Sequence, residues 1–122
     1  MTVRQFEVWK CQPPGFERAH WFVIISGSER CASDHQRMVN GLACFSLRGE
    51  PSKTDVRLNG ADGFDAPTAC QCDFVFALPK DKLHEGRGSV SWERQQEIKA
   101  KLKEAQAQRG LAVLSPRGLQ LE

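Results

Sequence analysis

The residues of this chain with the clearest capacity for chemistry stand directly before an apolar segment. Glu17, Arg18 and His20 precede the run 21–25, which reads WFVII. A carboxylate, a permanent cation and an imidazole that exchanges a proton near neutral pH are the groups that acid–base catalysis and anion binding use. A histidine at a strand end is also often only a solvated residue. The trio therefore indicates a candidate site, with a structural role as its alternative.

Short strands at close spacing must position these groups. A helix or turn fits 29–38, and a longer helix begins near Ser91, whose hydroxyl can cap it. Ile98, Leu102 and Ala105 then fall on one face of that helix. The pattern predicts a mainly β domain, a small and strongly curved antiparallel sheet or barrel with a C-terminal helix. Its predicted strands are 5–10, 21–25 (central and buried on both faces), 39–47, 55–58 and 71–78, with 86–90 as a further candidate.

The cysteines allow a metal interpretation and a simpler one. Cys70 and Cys72 could bind a metal ion with Cys44, Cys31 or His35 as further ligands. Structural zinc sites usually contain two ligand pairs at C-x₂₋₄-C spacing, whereas this chain has a single C-x-C pair on a predicted strand. We favour two small residues that share one face of the strand. No metal site and no cofactor are predicted.

Asp73 and several aromatic residues also have two interpretations. Asp73 interrupts the apolar stretch 72–78, and because a buried carboxylate needs a partner, it could bind a loop amide or take part in catalysis. Trp9, Trp21 and Phe16 could stack on nucleic-acid bases, although packing in the core is the simpler prediction. Core positions are also predicted for Trp92, Phe74 and Phe76.

Composition limits the function classes. A chain of 122 residues with 40% hydrophobic content can form one core but not two. A net charge of +2 neither requires nor excludes a nucleic-acid partner. Five cysteines and a first segment without a signal pattern fit a reduced, cytoplasmic protein. The longest apolar run is far shorter than the roughly 20 residues of a membrane-spanning helix. The motifs of NTP-driven enzymes and zinc proteases are absent.

The order of these segments resembles the MazF/PemK/Kid toxins of bacterial toxin–antitoxin systems. The resemblance covers about residues 4–107, and no single motif is highly specific, although their shared order is. The matching segments are 6–9 (FEVW) with 13–15 (PPG) for the family's GEVWxxxxP, 20–26 (HWFVIIS) for RPVLVVS, 44–47 (CFSL) for PxTS, and 72–83 for CDQxRTxDxxRL.

The resemblance implies a fold, an activity and partners. It implies an SH3-like barrel of the CcdB/Kid/MazF type, which we expect over residues 1–109. A tail is predicted at 110–122, where Pro116 and Gly118 interrupt the apolar pattern. It also implies a homodimer and a cognate antitoxin protein as its partner. The activity it implies is a metal-independent endoribonuclease that cleaves single-stranded RNA. The alternative is a barrel of the same kind that acts by binding RNA or protein without cutting, or one with no toxin role.

The resemblance also assigns roles to residues. Ser46 takes the place of a catalytic threonine, Asp73 keeps a carboxylate, and His20 stands where relatives carry an arginine that stabilises the reacting phosphate. Arg18 could supply that cation from a shifted position. We predict His20 or Asp73 as base, His20 as acid, Arg18 as phosphate clamp and Ser46 as hydroxyl donor. The predicted RNA-binding residues are Glu17, Arg48, Lys53 and Gln71, the last at a place where some relatives have a second arginine.

Overall fold

The predicted strands form one antiparallel sheet in the computed structural model, which describes residues 2–109 and the side chains up to residue 107. Its strands are β1 (Val8–Cys11), β2 (His20–Ile24), β3 (Met38–Ser46), β4 (Asp55–Leu58), β5 (Thr68–Gln71) and β6 (Phe76–Pro79). Its helices are α1 (Ser28–Ala32) and α2 (Trp92–Arg109), with 3₁₀ turns at Gly60–Asp62 and Lys80–Lys82. The tail predicted at 110–122 lies outside the described residues.

The long strand β3 organises the sheet. Strand order is β1-β2-β3-β5-β4, and β6 also pairs with β3. The end of β3 pairs with β5, with Cys44 opposite Cys70, while its beginning pairs with β6, with Gly41 opposite Phe76. The mainly β fold with a C-terminal helix is confirmed. Within residues 2–109 the two edge strands, β1 and β4, do not pair with each other, so the sheet has only a loose barrel character.

The single strand predicted at 71–78 is wrong. The chain leaves the sheet after Gln71 and rejoins it at Phe76. Cys72 and Val75 remain buried in the intervening link. The last backbone bond to the β4 side runs from the Cys72 amide to the Thr54 carbonyl, so the apolar pattern continues further than the ladder of hydrogen bonds. Phe74, which was expected in the core, is 42% exposed in this link.

Strand β1 starts later than predicted because the chain bulges before it. The Phe6 amide donates to the Ile24 carbonyl, and the Ile24 amide donates to the Glu7 carbonyl, so two residues stand opposite one. Phe6 takes a φ of 68° there. The candidate strand at 86–90 pairs irregularly with β1: the Val8 amide donates to the Gly88 carbonyl, and the Arg87 amide donates to the Val8 carbonyl.

Strand β2 is buried on both faces, as predicted. Its neighbours Phe22 and Val23 point to opposite faces, and both are fully buried. Ile98 and Leu102 of α2 cover the face that contains Val23. Trp92, also expected in the core, is 68% exposed at the start of α2. Among the described residues, no helix has the length and apolar character needed to span a membrane.

Candidate active site

An open cleft of about 430 Å³ lies where β2 begins and β3 ends. The strand register creates it, since Trp21 stands opposite Cys44 and Ser46 stands opposite Thr68. Four of the eight predicted site residues line this cleft together. The lining residues are Arg18, Ala19, His20, Trp21, Cys44, Phe45, Ser46, Arg48, Phe64 and Thr68.

The other four predicted site residues do not line the cleft. Glu17 is exposed beside it. Lys53 lies in the loop between β3 and β4, where its carbonyl accepts a hydrogen bond from Lys101 Nζ at 2.7 Å. Gln71 ends β5, about 10 Å along the strand from the residue opposite Ser46. Asp73 is half-buried in the link between β5 and β6. The roles of all eight residues stay predictions.

His20 is held by three contacts. Its ring packs edge-to-face against Phe16 and Phe45, with ring centroids 5.0 and 5.2 Å apart. Its Nδ1 lies 3.1 Å from the Arg18 carbonyl oxygen. Because a carbonyl only accepts hydrogen bonds, Nδ1 must donate, which leaves the lone pair of the neutral ring on Nε2. The contact thus selects the tautomer in which Nε2 can act as a base.

Ser46 reaches the cleft from the other face of the strand. Side chains alternate along β3, so Ser46 points away from the face that carries Phe45 and the His20 ring. Ser46 is exposed and pairs in register with Thr68. His20 and Ser46 therefore meet only at the strand end, where both line the cleft.

The cleft is electropositive. Among the described residues that line it, none is acidic. Neither Arg18 nor Arg48 forms an ion pair with a carboxylate within residues 2–109. Two arginines that no carboxylate neutralises favour an anion in the cleft.

Sequence reasoning missed a cation that packs on Trp21, one of the residues that line the cleft. The guanidinium carbon of Arg87 lies 4.2 Å from the centroid of the Trp21 ring, and Lys10 Nζ lies 5.4 Å from it. The sequence offers Trp21 as a residue that could stack on bases, but it gives no connection between Trp21 and Arg87. The only local signal is the pair of glycines that flank Arg87, Gly86 and Gly88, and these indicate no partner for its side chain.

The thiols beneath the cleft belong to the core. A hydrogen bond with Cys44, together with burial, raises the pKa of Cys70 well above its usual value. A hydrogen bond with Cys70, together with burial, raises the pKa of Cys72. Both thiols therefore stay protonated at neutral pH and are poor nucleophiles. In the part of the chain that the structure describes, no group of three or more His, Cys, Asp or Glu side chains is arranged to hold a metal ion.

Comparisons with known proteins identify the fold. No protein-family model matches the sequence, and neither does any of the curated proteins. Among solved structures, an endoribonuclease in complex with its cognate antitoxin from Mycobacterial species has a TM-score of 0.74 and 22% identity, over 87% of this chain and 96% of that chain.

Two further structures are similar. The Mycobacterium tuberculosis toxin MazF-mt6 gives a TM-score of 0.65 and 19% identity, over 86% of this chain and 97% of that chain. The MazE-MazF structure (Form-II) from Deinococcus radiodurans gives a TM-score of 0.68 and 12% identity, over 92% of this chain and 99% of that chain. At these identities the comparisons establish that the chain has the MazF toxin fold over nearly its whole described length.

Proposed function

We propose that this protein is the toxin of a toxin–antitoxin pair and that it cleaves single-stranded RNA as an endoribonuclease. The observation that carries the proposal is the electropositive cleft, which gathers Arg18, His20, Ser46 and Arg48 in a chain with the fold of endoribonuclease toxins. The toxin domain proposed is 1–109.

His20 is the proposed acid–base group. Cleavage of RNA by its own 2′-hydroxyl needs a base for the 2′-OH proton and an acid for the departing 5′-oxygen. In the tautomer selected by the Arg18 carbonyl, Nε2 of His20 can accept a proton, and the protonated ring can donate one. Asp73 was the other candidate for the base, but it does not line the cleft, which favours His20.

Arg18, Arg48 and Ser46 are the proposed phosphate ligands. Guanidinium groups form charge-assisted hydrogen bonds with phosphate oxygens, and these strengthen as negative charge develops in the transition state. The Ser46 hydroxyl can donate a further hydrogen bond from the opposite face of β3. Glu17, Lys53 and Gln71 lie outside the cleft, so we propose contacts with RNA only where the strand extends beyond it.

Replacement of His20 tests the proposal. Purified wild-type protein is expected to cut a mixed-sequence single-stranded RNA, and His20→Ala is expected to lower kcat by on the order of 10²-fold or more, the usual contribution of an acid–base group. His35→Ala is the matched control, because His35 is exposed between α1 and β3 and does not line the cleft. Cleavage by His20→Ala at the wild-type rate would contradict the assignment.

One observation favours a second candidate function. His20 and Ser46 approach the cleft from opposite faces of β3, and Asp73 lies outside it. Catalysis would require these three groups to converge on one phosphate, whereas a barrel that only binds RNA or a protein does not require it. That candidate predicts RNA binding or growth inhibition by the wild-type protein, with no cut product in the same assay.

The proposed partners follow from the similar structures. Because one of these endoribonucleases was solved with its cognate antitoxin, we propose an antitoxin partner here as well. The homodimer is proposed on the family resemblance alone. Light scattering measures the oligomeric state, and a small acidic reading frame beside this one would supply the antitoxin for a binding assay. The proposed compartment is the cytoplasm, where RNA is available and the five free thiols stay reduced.

A further inference from the structure

We propose that Arg87, held against Trp21 on the wall of the cleft, binds a phosphate of the RNA strand and so extends the site beyond the reacting group. This inference rests on the proposed function. It adds a third arginine, from the segment between β6 and α2, to the two that precede β2 and follow β3. The contacts, the charge and the position of Arg87 each support it.

The contacts of Arg87 fix its guanidinium before any ligand arrives. The guanidinium carbon lies 4.2 Å from the Trp21 ring centroid, and Nη1 donates to the Gly63 carbonyl at 3.0 Å. The Arg87 backbone amide donates to the Val8 carbonyl at 2.9 Å. A guanidinium that stacks on an aromatic ring keeps its remaining N–H groups directed outward in a planar fork, which matches the oxygens of a phosphate.

The charge of Arg87 is not neutralised within residues 2–109. No carboxylate there forms an ion pair with it. Lys10 differs, although it lies over the same ring, because its Nζ is 3.7 Å from Glu85 Oε1. Of the two cations beside Trp21, Arg87 is therefore the one available to an anion.

The position of Arg87 connects it with the cleft. Trp21, the ring on which it stacks, lines the cleft, and so does Phe64, the neighbour of the Gly63 that accepts its hydrogen bond. Arg18 and Arg48 line the same cleft without carboxylate partners. An RNA strand whose reacting phosphate occupies the cleft would present a neighbouring phosphate to Arg87.

The test compares Arg87→Ala with Arg37→Ala. Arg37 is also an exposed arginine, but it precedes the beginning of β3, whereas the cleft lies at the end of that strand. Binding of a single-stranded oligoribonucleotide is measured over a series of salt concentrations, and cleavage is measured at low salt. Arg87→Ala is expected to raise Kd and KM by about tenfold, with a smaller effect on kcat, because a remote phosphate contact is made equally in the ground and transition states.

Salt dependence separates a phosphate contact from a structural effect. Loss of one phosphate contact on a single strand should reduce the slope of log K against log salt by about 0.7, whereas Arg37→Ala should keep the wild-type slope. Arg87→Lys should recover the wild-type salt slope but only part of the affinity. Lysine keeps the positive charge, but it lacks the planar guanidinium that stacks on Trp21 and donates several hydrogen bonds.

The outcomes distinguish the two proposals. If the wild-type protein binds and cuts RNA while Arg87→Ala matches Arg37→Ala in Kd and slope, the role of Arg87 is overturned and the proposed function stands. If the wild-type protein neither binds nor cuts RNA, the proposed function is overturned and the role of Arg87 falls with it.

Discussion

His20 illustrates how much of a residue's chemistry depends on a single contact. Its identity makes it a candidate acid or base, but the Arg18 carbonyl at 3.1 Å decides which nitrogen carries the proton. The rings of Phe16 and Phe45 then hold the imidazole at the mouth of β2. His20, which stands where members of the MazF/PemK/Kid family carry an arginine, is thus fixed in one orientation. Acid–base chemistry requires such a fixed orientation.

Ser46 provides a prediction at this scale. Because its side chain is exposed, replacement should alter catalysis and leave stability nearly unchanged. Ser46→Ala removes the proposed donor to the phosphate and is expected to lower kcat by on the order of 10²-fold. Ser46→Thr keeps the hydroxyl and should stay within about threefold of wild type, since the donor is retained. Single-turnover cleavage measures both, with Ser28→Ala as an exposed serine control outside the cleft. Equal rates for Ser46→Ala and wild type would remove Ser46 from the proposed mechanism.

The residues of the candidate site were predictable where the sequence around them marks a strand end. Arg18 and His20 adjoin a strand that the apolar run 21–25 marks clearly, and Ser46 ends the next long strand. The contact between Trp21 and Arg87 depends on long-range pairing of the 84–90 segment with β1. No periodicity in the sequence encodes that pairing, so Arg87 could be found only in the structure.

At the scale of elements, one carboxylate joins a turn to a helix. Asp62 of the Gly60–Asp62 turn is fully buried. Its Oδ1 accepts from the Ser91 amide, and its Oδ2 accepts from the Asn59 amide, both at 2.9 Å. Arg94 Nε lies 4.0 Å from Oδ2. Asp62 thereby connects the β4–β5 segment to the residue that precedes α2.

Removal of this carboxylate should destabilise the protein. Asp62→Ala leaves two amides without their acceptor and Arg94 without this partner, so the free energy of unfolding is expected to fall by about 3 kcal/mol. Urea denaturation measures it. Asp65→Ala is the matched control, because Asp65 is exposed three residues later, and it should change stability by no more than about 0.5 kcal/mol. Similar midpoints for the two variants would show that Asp62 does not hold α2 in place.

The strands and helices were predictable where the spacing of apolar residues fits only one kind of secondary structure. The strand at 55–58 and the face of Ile98, Leu102 and Ala105 follow the expected periods. The segment 71–78 does not, because its pattern reports burial while a strand also requires a hydrogen-bonding partner. Cys72 and Val75 are buried outside any strand. The segment is divided because β5 pairs with the end of β3 and β6 pairs with its beginning, and only the structure shows these two pairings.

Across the whole molecule, buried thiols make stability depend on pH. Burial raises the pKa of Cys11 and of Cys31, and hydrogen bonds between thiols together with burial raise those of Cys70 and Cys72. The ordinary pKa of a cysteine thiol is 9.0. Below about pH 9, these thiols are protonated in both the folded and the unfolded chain. Above it, the unfolded chain releases thiol protons that the folded chain keeps, so stability is lost as pH rises toward the folded values. The sequence contains no tyrosine, so phenol ionisation adds nothing in this range.

We therefore expect the free energy of unfolding to be flat between about pH 7 and 8 and to fall between about pH 9 and 10.5. Cys70→Val should flatten this fall by up to about 1.4 kcal/mol per pH unit, the contribution of one thiol that ionises only when unfolded. Val56→Ala is the control: Val56 stands opposite Cys70 in the sheet, so its truncation should lower stability by a similar amount at every pH. Urea denaturation at each pH measures the three curves. A Cys70→Val curve parallel to that of the wild type would mean that Cys70 ionises alike in both states, and the pH dependence would then have to originate elsewhere in the fold.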